Sequence, residues 1–175
     1  MENRNPMKKS TQALKKFASL NCAQAVFSSF ADELGLDEET ALKLASVFGG
    51  GMARGETCGA VTGAYLVIGM KSGHTNGDLL AQDKTKQLIR KFNRHFNMKH
   101  GSLRCKELLG CDISTTKGRM KAKEKDAFKQ FCPMFVASAC DILEEHFSDV
   151  PVETTVSRSK NSSSFSLIRK RFTTN

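Results

Sequence analysis

The stretch FGGGMARGETCGAVTG, Phe48 to Gly63, constrains the fold of this chain more than any other, because six of its sixteen residues are glycine and an apolar run, AYLVIGM, follows at once. A segment from Cys58 to about Lys71 that is apolar on nearly every side has to be wrapped by other elements, so it reads as the central buried helix of a domain. Thr57 stands where it can cap that helix. Gly59 and Gly63, four residues apart, share one helical face and let a neighbouring backbone come close. Two other readings of the glycines fail on their own terms. A phosphate-cradling loop needs GxxxxGK[ST] after a strand, and GMARGETC has neither the lysine nor the strand. A dinucleotide fingerprint needs a preceding strand too, and the preceding segment has helical periodicity. The glycines therefore serve to bend the chain and deliver Cys58 to the start of a buried helix.

The rest of the chain gives helical signals only. Asn21 caps CAQAVFSSFADEL, stopped by Gly35, and Asp37 caps EETALKLASVF, with Thr40 where a full capping box would place Glu or Gln. Asp78 opens a long polar helix to about Lys99, with Leu80, Leu88, Ile89, Phe92 and Phe96 as its inner face. Ser102 can cap LRCKELLG, ended by Gly110, and the charged segment after Cys111 predicts a loop with one surface helix. Cys132 precedes Pro133, and proline favours the first helical position, so CPMFVASACDILEEHF predicts a last amphipathic helix starting there. No strand pattern is present. The fold class is all-α, a compact bundle of about six to seven helices over residues 1–150, followed by a flexible, basic, Ser/Thr-rich tail over 151–175.

The net charge of +9 is partly a property of that tail, which holds five Lys/Arg against Glu153 alone. No basic stripe interleaved with aromatic groups or reading helix accompanies the charge, which speaks against a nucleic-acid face. The first seventeen residues lack the apolar core of a secretory signal, and the run from Gly59 to Met70 is too short to span a bilayer. These features predict a soluble cytoplasmic chain, a compartment where thiols stay reduced and structural disulfides are rare. Six cysteines in such a chain call for chemistry.

Four of them fall at predicted helix starts: Cys22 after Asn21, Cys58 after Thr57, Cys105 in the first turn after Ser102, and Cys132 before Pro133. Unpaired backbone N–H groups and the helix dipole there favour negative charge and bias each thiol toward thiolate, the form that binds metal or attacks a disulfide. Arg54 in the glycine loop can balance such a charge. Cys140 lies among Ala137, Ala139 and Leu143 and reads as packing, and Cys111 is close enough in sequence to Cys105 to be an accessory thiol. The spacing contains no CxxC, CxxCH or ferredoxin pattern, so a metal site would have to be assembled from distant helices. His74, His95, His100 and His146 lie on polar segments with no partner at a diagnostic spacing and predict solvated side chains.

The pieces NCAQAVFSSFADELGLDEETALKLASVFGGGMARGETCGAVTG, RCKELLGCDIST and CPMFVASA resemble the redox-active protein family named for its C-GCAxxG-C-C cysteine pattern, in the family's order over Asn21 to about Phe147. Cys58 to Gly63 carries the named signature as CGAxxG. The resemblance implies a small helical bacterial protein with four hallmark cysteines, Cys22, Cys58, Cys105 and Cys132. It also makes an iron–sulfur cluster or another Cys-ligated metal plausible. Cys111, Cys140 and the tail carry no family role.

The leading expectation is a cytoplasmic redox protein, an electron carrier or oxidoreductase with an unidentified partner protein, in which those four thiolates converge. They would exchange electrons as dithiol and disulfide or ligate a metal, with Gly59, Gly63 and Arg54 lining the site. A disulfide pair needs Cα atoms within about 7 Å, and a metal needs four sulfurs around one point. Two other readings compete: a non-catalytic interaction module with packing cysteines, and a nucleic-acid binder using the basic tail. A homodimer is compatible with all three.

Overall fold

The computed structural model describes residues 7–152. All but the first two residues of the expected tail lie outside the described residues. Eight helices follow in order: α1 (Lys9–Phe17), α2 (Cys22–Ser28), α3 (Glu38–Ala45), α4 (Gly59–Ser72), α5 (Leu79–His100), α6 (Cys105–Leu108), α7 (Thr116–Glu124) and α8 (Ala127–Phe147). Among the described residues there is no strand, only an isolated bridge between Thr57 and Arg104. No helix among them is long and apolar enough to cross a membrane.

Helix α4 is the centre of the bundle, with Ala60, Val61, Ala64, Val67 and Ile68 essentially inaccessible. Its glycine face lies against α2: a methyl group on Gly63 would stand 2.9 Å from the Ala23 carbonyl and 3.0 Å from Val26 Cβ, and one on Gly59 3.0 Å from Cys22 Cβ. Phe92 and Phe96 of α5 and Phe135, Val136, Ala139 and Leu143 of α8 complete the core. Tyr65 meets Phe92 edge-on and donates to Asn93 Oδ1 at 2.6 Å.

Helix α2 is placed by its cap. The Asn21 side chain accepts from the Ala23 and Gln24 N–H groups, both at 3.0 Å, while Gln24 Oε1 accepts from the Asn21 N–H at 3.2 Å. Asn21 Nδ2 also donates to Ser46 O, tying the α2 start to the end of α3. Asn21→Ala removes this box at the residue before Cys22. The expected loss is about 1–2 kcal/mol, read as a lower urea midpoint at unchanged slope.

Between α3 and α4 the chain makes a left-handed turn, with Gly50, Gly51, Met52 and Ala53 all near φ +60°. Met52 and Ala53 have side chains, so this conformation costs on the order of 1–2 kcal/mol at each. Gly55 lands where a methyl would stand 3.1 Å from Lys106 Cβ, bringing the loop against α6. The strain is carried in the segment that delivers Cys58.

Helix α1 has no sequence-local cap; its first N–H, of Lys9, donates to Glu144 Oε1 of α8 at 3.0 Å. Four expectations about elements change. Ser102 does not cap α6: Arg104 is the cap residue, and Ser102 Oγ accepts from the Arg104 N–H at 2.9 Å instead. Thr57 does not cap α4: Cys58 is the cap residue, and Thr57 belongs to the bridge. Leu80 is 83% exposed, because α5 begins beyond the edge of the core. Helix α8 starts at Ala127, after a left-handed Asp126, so Pro133 is interior and Cys132 is not at a helix start. Packing of Ala127, Phe135 and Val136 holds the helix across the missing Pro133 N–H. Lys71 and Lys91 donate to the last α8 carbonyls, of Phe147 and His146.

The histidines are half-buried rather than solvated. His95 and His146 stack with centroids 3.9 Å apart across α5 and α8, and His100 packs on Phe96 and Phe135. Burial, then the His146, Lys91 and Arg94 charges, hold His95 below the usual imidazole range; burial, then Lys99, does the same for His100. The unfolded chain therefore takes up protons first as pH falls. Stability is full above about pH 6.5 and declines below it. The urea midpoint should be lower at pH 5.5 than at 7.5, with a smaller difference in the His95→Gln, His100→Gln double variant.

Candidate functional site

Three cysteines are brought together by local backbone geometry. At the Thr57–Arg104 bridge, the Cys58 N–H donates to Leu103 O at 2.8 Å and the Cys105 N–H to Glu56 O at 2.6 Å. Cys58 thus caps α4 and Cys105 opens α6, side by side in space though 47 residues apart in sequence. The outer side of the bridge is closed by Glu56, which accepts from Arg104 Nη2 at 2.7 Å and Lys106 Nζ at 3.2 Å. Hydrogen bonds from Arg104 and Lys106 hold the Glu56 carboxyl below its usual range. Cys22, first residue of α2, sits against Gly59 because only a hydrogen occupies that position.

The fourth arrives from α8. Cys22 packs against the apolar cluster that holds Cys132, and the two side chains shift each other's ionisation. Cys132 lies in a second apolar cluster with Cys105, Leu109, Cys111, Ile113, Ala122 and Ala127, against which Phe17, Cys22 and Phe128 pack. Cys22 is half-buried, whereas Cys58, Cys105 and Cys132 are 2%, 6% and 5% exposed.

Ionisation follows burial more than helix position. Desolvation pushes Cys58 up to about 11, against hydrogen bonds from the Ala60 and Val61 amides that pull the other way. Desolvation, then the Cys58 and Cys132 charges, pushes Cys105 up to about 12. Cys132 alone among the four is held below the ordinary thiol range, because its sulfur accepts a hydrogen bond from Cys22, which outweighs its own burial. Cys22 is correspondingly raised, first as the donor in that bond, then by burial and by the charges of the other three. The expectation that all four are biased toward thiolate is corrected: Cys22, Cys58 and Cys105 are raised and Cys132 alone is lowered. The helix dipole is real but weaker than the loss of hydration at these depths.

The other predicted site residues are placed as follows. Gly59 and Gly63 are filled in by α2, so their face serves helix contact and leaves no room for a ligand. Arg54 is exposed on the left-handed turn, and the charges acting on Cys58 are those of a cysteine, not of Arg54. Cys140 is fully buried in the main core, as packing predicts. Cys111 shares the apolar cluster of Cys105 and Cys132. Among the described residues no group of three or more His, Cys, Asp or Glu side chains is disposed to hold a metal ion. Four soft sulfur donors suit zinc or an iron–sulfur cluster chemically. Sequence reasoning did not single out the Cys22–Cys132 pair, since nothing in the spacing links α2 to α8.

A family model described as "Putative redox-active protein (C_GCAxxG_C_C)" matches residues 20–146. No curated protein and no solved structure matches the chain.

Proposed function

The chain belongs to the C_GCAxxG_C_C family, and on that premise we propose that it is a thiol redox protein whose working pair is Cys22 and Cys132. The observation that carries this reading is adjacency: Cys22, the half-buried cysteine, packs against the cluster that holds Cys132, and their contact raises Cys22 while it lowers Cys132. The Cys132 thiolate attacks one sulfur of a partner disulfide; a new S–S bond forms, the partner's bond breaks, and its leaving sulfur is protonated. Cys22 then gives up its proton and attacks Cys132 in the mixed disulfide, releasing the second partner thiol. The partner gains two electrons and two protons, and the chain holds a Cys22–Cys132 disulfide. A partner of lower potential runs the sequence backwards. A reducing compartment such as the cytoplasm suits the resting dithiol.

The test is to treat the reduced chain with oxidised glutathione, quench by alkylation and map disulfides by mass spectrometry. Loss of two thiols, located at Cys22 and Cys132, is the expected result; six alkylated cysteines throughout would sink it. A second reading is favoured by one observation, that Cys22 feels the charges of Cys58, Cys105 and Cys132 alike: the four would close around a cluster or zinc. Stoichiometric iron with acid-labile sulfide, or zinc, in protein purified without oxygen and lost on Cys58→Ser would establish that instead.

A further inference from the structure

We propose that the outer face of α7 is where the partner protein of the cysteine site docks, and that this partner presents an acidic patch around an apolar side chain. This rests on the reading of the chain as a thiol redox protein. Helix α7 and the residue that caps its end carry Lys117, Arg119, Lys121, Lys123 and Lys125 against Glu124 alone, all of them exposed. Lys117, Lys121 and Lys125 recur every fourth residue and so form one ridge about 12 Å long. Among the described residues the three ridge lysines and Glu124 make no ion pair and no side-chain hydrogen bond. By contrast Lys8, Lys9, Lys16 and Lys43 each meet an acid, and Arg104 and Lys106 share Glu56.

Such a ridge destabilises the chain on its own. Like charges four residues apart repel, and Lys117 stands in the first turn, where the helix dipole disfavours a cation and no acid offsets it. An acidic partner relieves both on docking. The face also holds an anchor. Met120, 58% exposed, lies in one open trough with Thr116, Lys117, Lys121, Glu124 and Lys125, and its flexible thioether adapts to an apolar side chain set against it. The helix is firmly mounted, so little ordering is left for binding to do. Thr115 Oγ1 accepts from the Gly118 N–H at 3.0 Å, Arg119 Nη1 donates to the Ile113 and Ser114 carbonyls, both at 3.1 Å, and a methyl on Gly118 would overlap the Asp112 carbonyl. On the inner side, Ala122 is fully buried in the apolar cluster of Cys105, Cys111 and Cys132. A protein held on α7 therefore lies against the wall of the cysteine site. A nucleic acid fits the face less well, because α7 has no aromatic side chain for base stacking and Met120 has nothing to offer a phosphate.

The test gives the reduced full chain two disulfide-cyclised peptides with a central leucine, one flanked by glutamates and the other by glutamines. At about 0.01 M ionic strength the glutamate peptide should be opened at least about tenfold faster, and the advantage should disappear at about 1 M, where the screening length has fallen from about 30 Å to about 3 Å. Reversing the ridge with Lys117→Glu, Lys121→Glu and Lys125→Glu together should bring the two rates level. Lys15→Glu, Arg90→Glu and Arg94→Glu, which make the same change in net charge at exposed positions of α1 and α5, should keep most of the difference. Equal rates for the two peptides in the native chain, or an equal loss in both triple variants, overturns the docking face and leaves the working pair standing. If neither peptide is opened, the working pair falls, and fluorescence anisotropy of serine-for-cysteine versions of the peptides decides the face by itself. Tighter binding of the glutamate version, abolished only by the ridge reversal, upholds it; equal binding overturns it. Single-stranded DNA or phosphatidylserine vesicles retained through the ridge at about 0.15 M ionic strength, where the glutamate peptide is not, overturns the assignment to a protein partner.

Discussion

With Cys132 replaced by serine, the chain is expected to lose thiol–disulfide exchange by at least about a hundredfold at neutral pH, because a hydroxyl supplies no competent nucleophile there. Cys22 cannot substitute: donation to Cys132, burial and neighbouring charges all raise it. The contrast that isolates the hydrogen bond lies at Cys22 itself. Cys22→Ser keeps an O–H donor beside Cys132 and should leave its ionisation depressed, while Cys22→Ala removes the donor and leaves burial to act alone, moving it upward. The rate of formation of the mixed disulfide with a small aromatic disulfide, followed from pH 5 to 10, reads this directly. Its midpoint should lie at lower pH in the native chain and in Cys22→Ser than in Cys22→Ala. A profile unmoved by Cys22→Ala would mean that another group stabilises the thiolate.

That contrast marks where sequence reasoning stops. Caps are local, so Asn21, Asp37 and Asp78 are legible from their side chains and the spacing to the next amides, and all three accept the expected hydrogen bonds. The all-round apolar character of α4 is equally legible, since burial on every side leaves no polar face. The glycine spacing shows that something approaches α4 closely but not that the something is α2. Helix α1 is illegible because its cap, Glu144, is 135 residues away. The start of α8 is misread because proline's preference for a first turn is weaker than the packing that carries the helix through it. For the cysteines, chemical character is not legible from position along the chain. Helix position is a sequence property, whereas desolvation and the Cys22–Cys132 contact exist only once α2, α4, α6 and α8 are assembled.

The same glycine substitution made twice in α4 should give opposite results. Gly69 is exposed in the helix interior with nothing within 4 Å of an added methyl, so Gly69→Ala should stabilise by about 0.5–1 kcal/mol through helix propensity and a less flexible unfolded chain. At Gly63 the methyl would meet Ala23 O at 2.9 Å, Val26 Cβ at 3.0 Å and Ala23 Cα at 3.1 Å. Two of these atoms are backbone, and α2 cannot yield by turning a side chain. Gly63→Ala should cost about 1–3 kcal/mol of overpacking, less up to about 1 kcal/mol regained from propensity. Gly63→Val adds two more methyl groups and loses the propensity gain, for a net loss of about 3 kcal/mol or more, or roughly 6–12 °C in Tm for a domain of this size. The displacement has a chemical readout as well, since moving α2 off α4 carries Cys22 away from both Cys58 and Cys132. In Gly63→Val the Cys22–Cys132 disulfide should form more slowly below the melting transition even though all six cysteines remain. Gly69→Ala should leave that rate unchanged. If Gly63→Val were as stable as the native chain, or if it oxidised at the native rate while destabilised, close approach of α2 would not be what sets the cysteine pair.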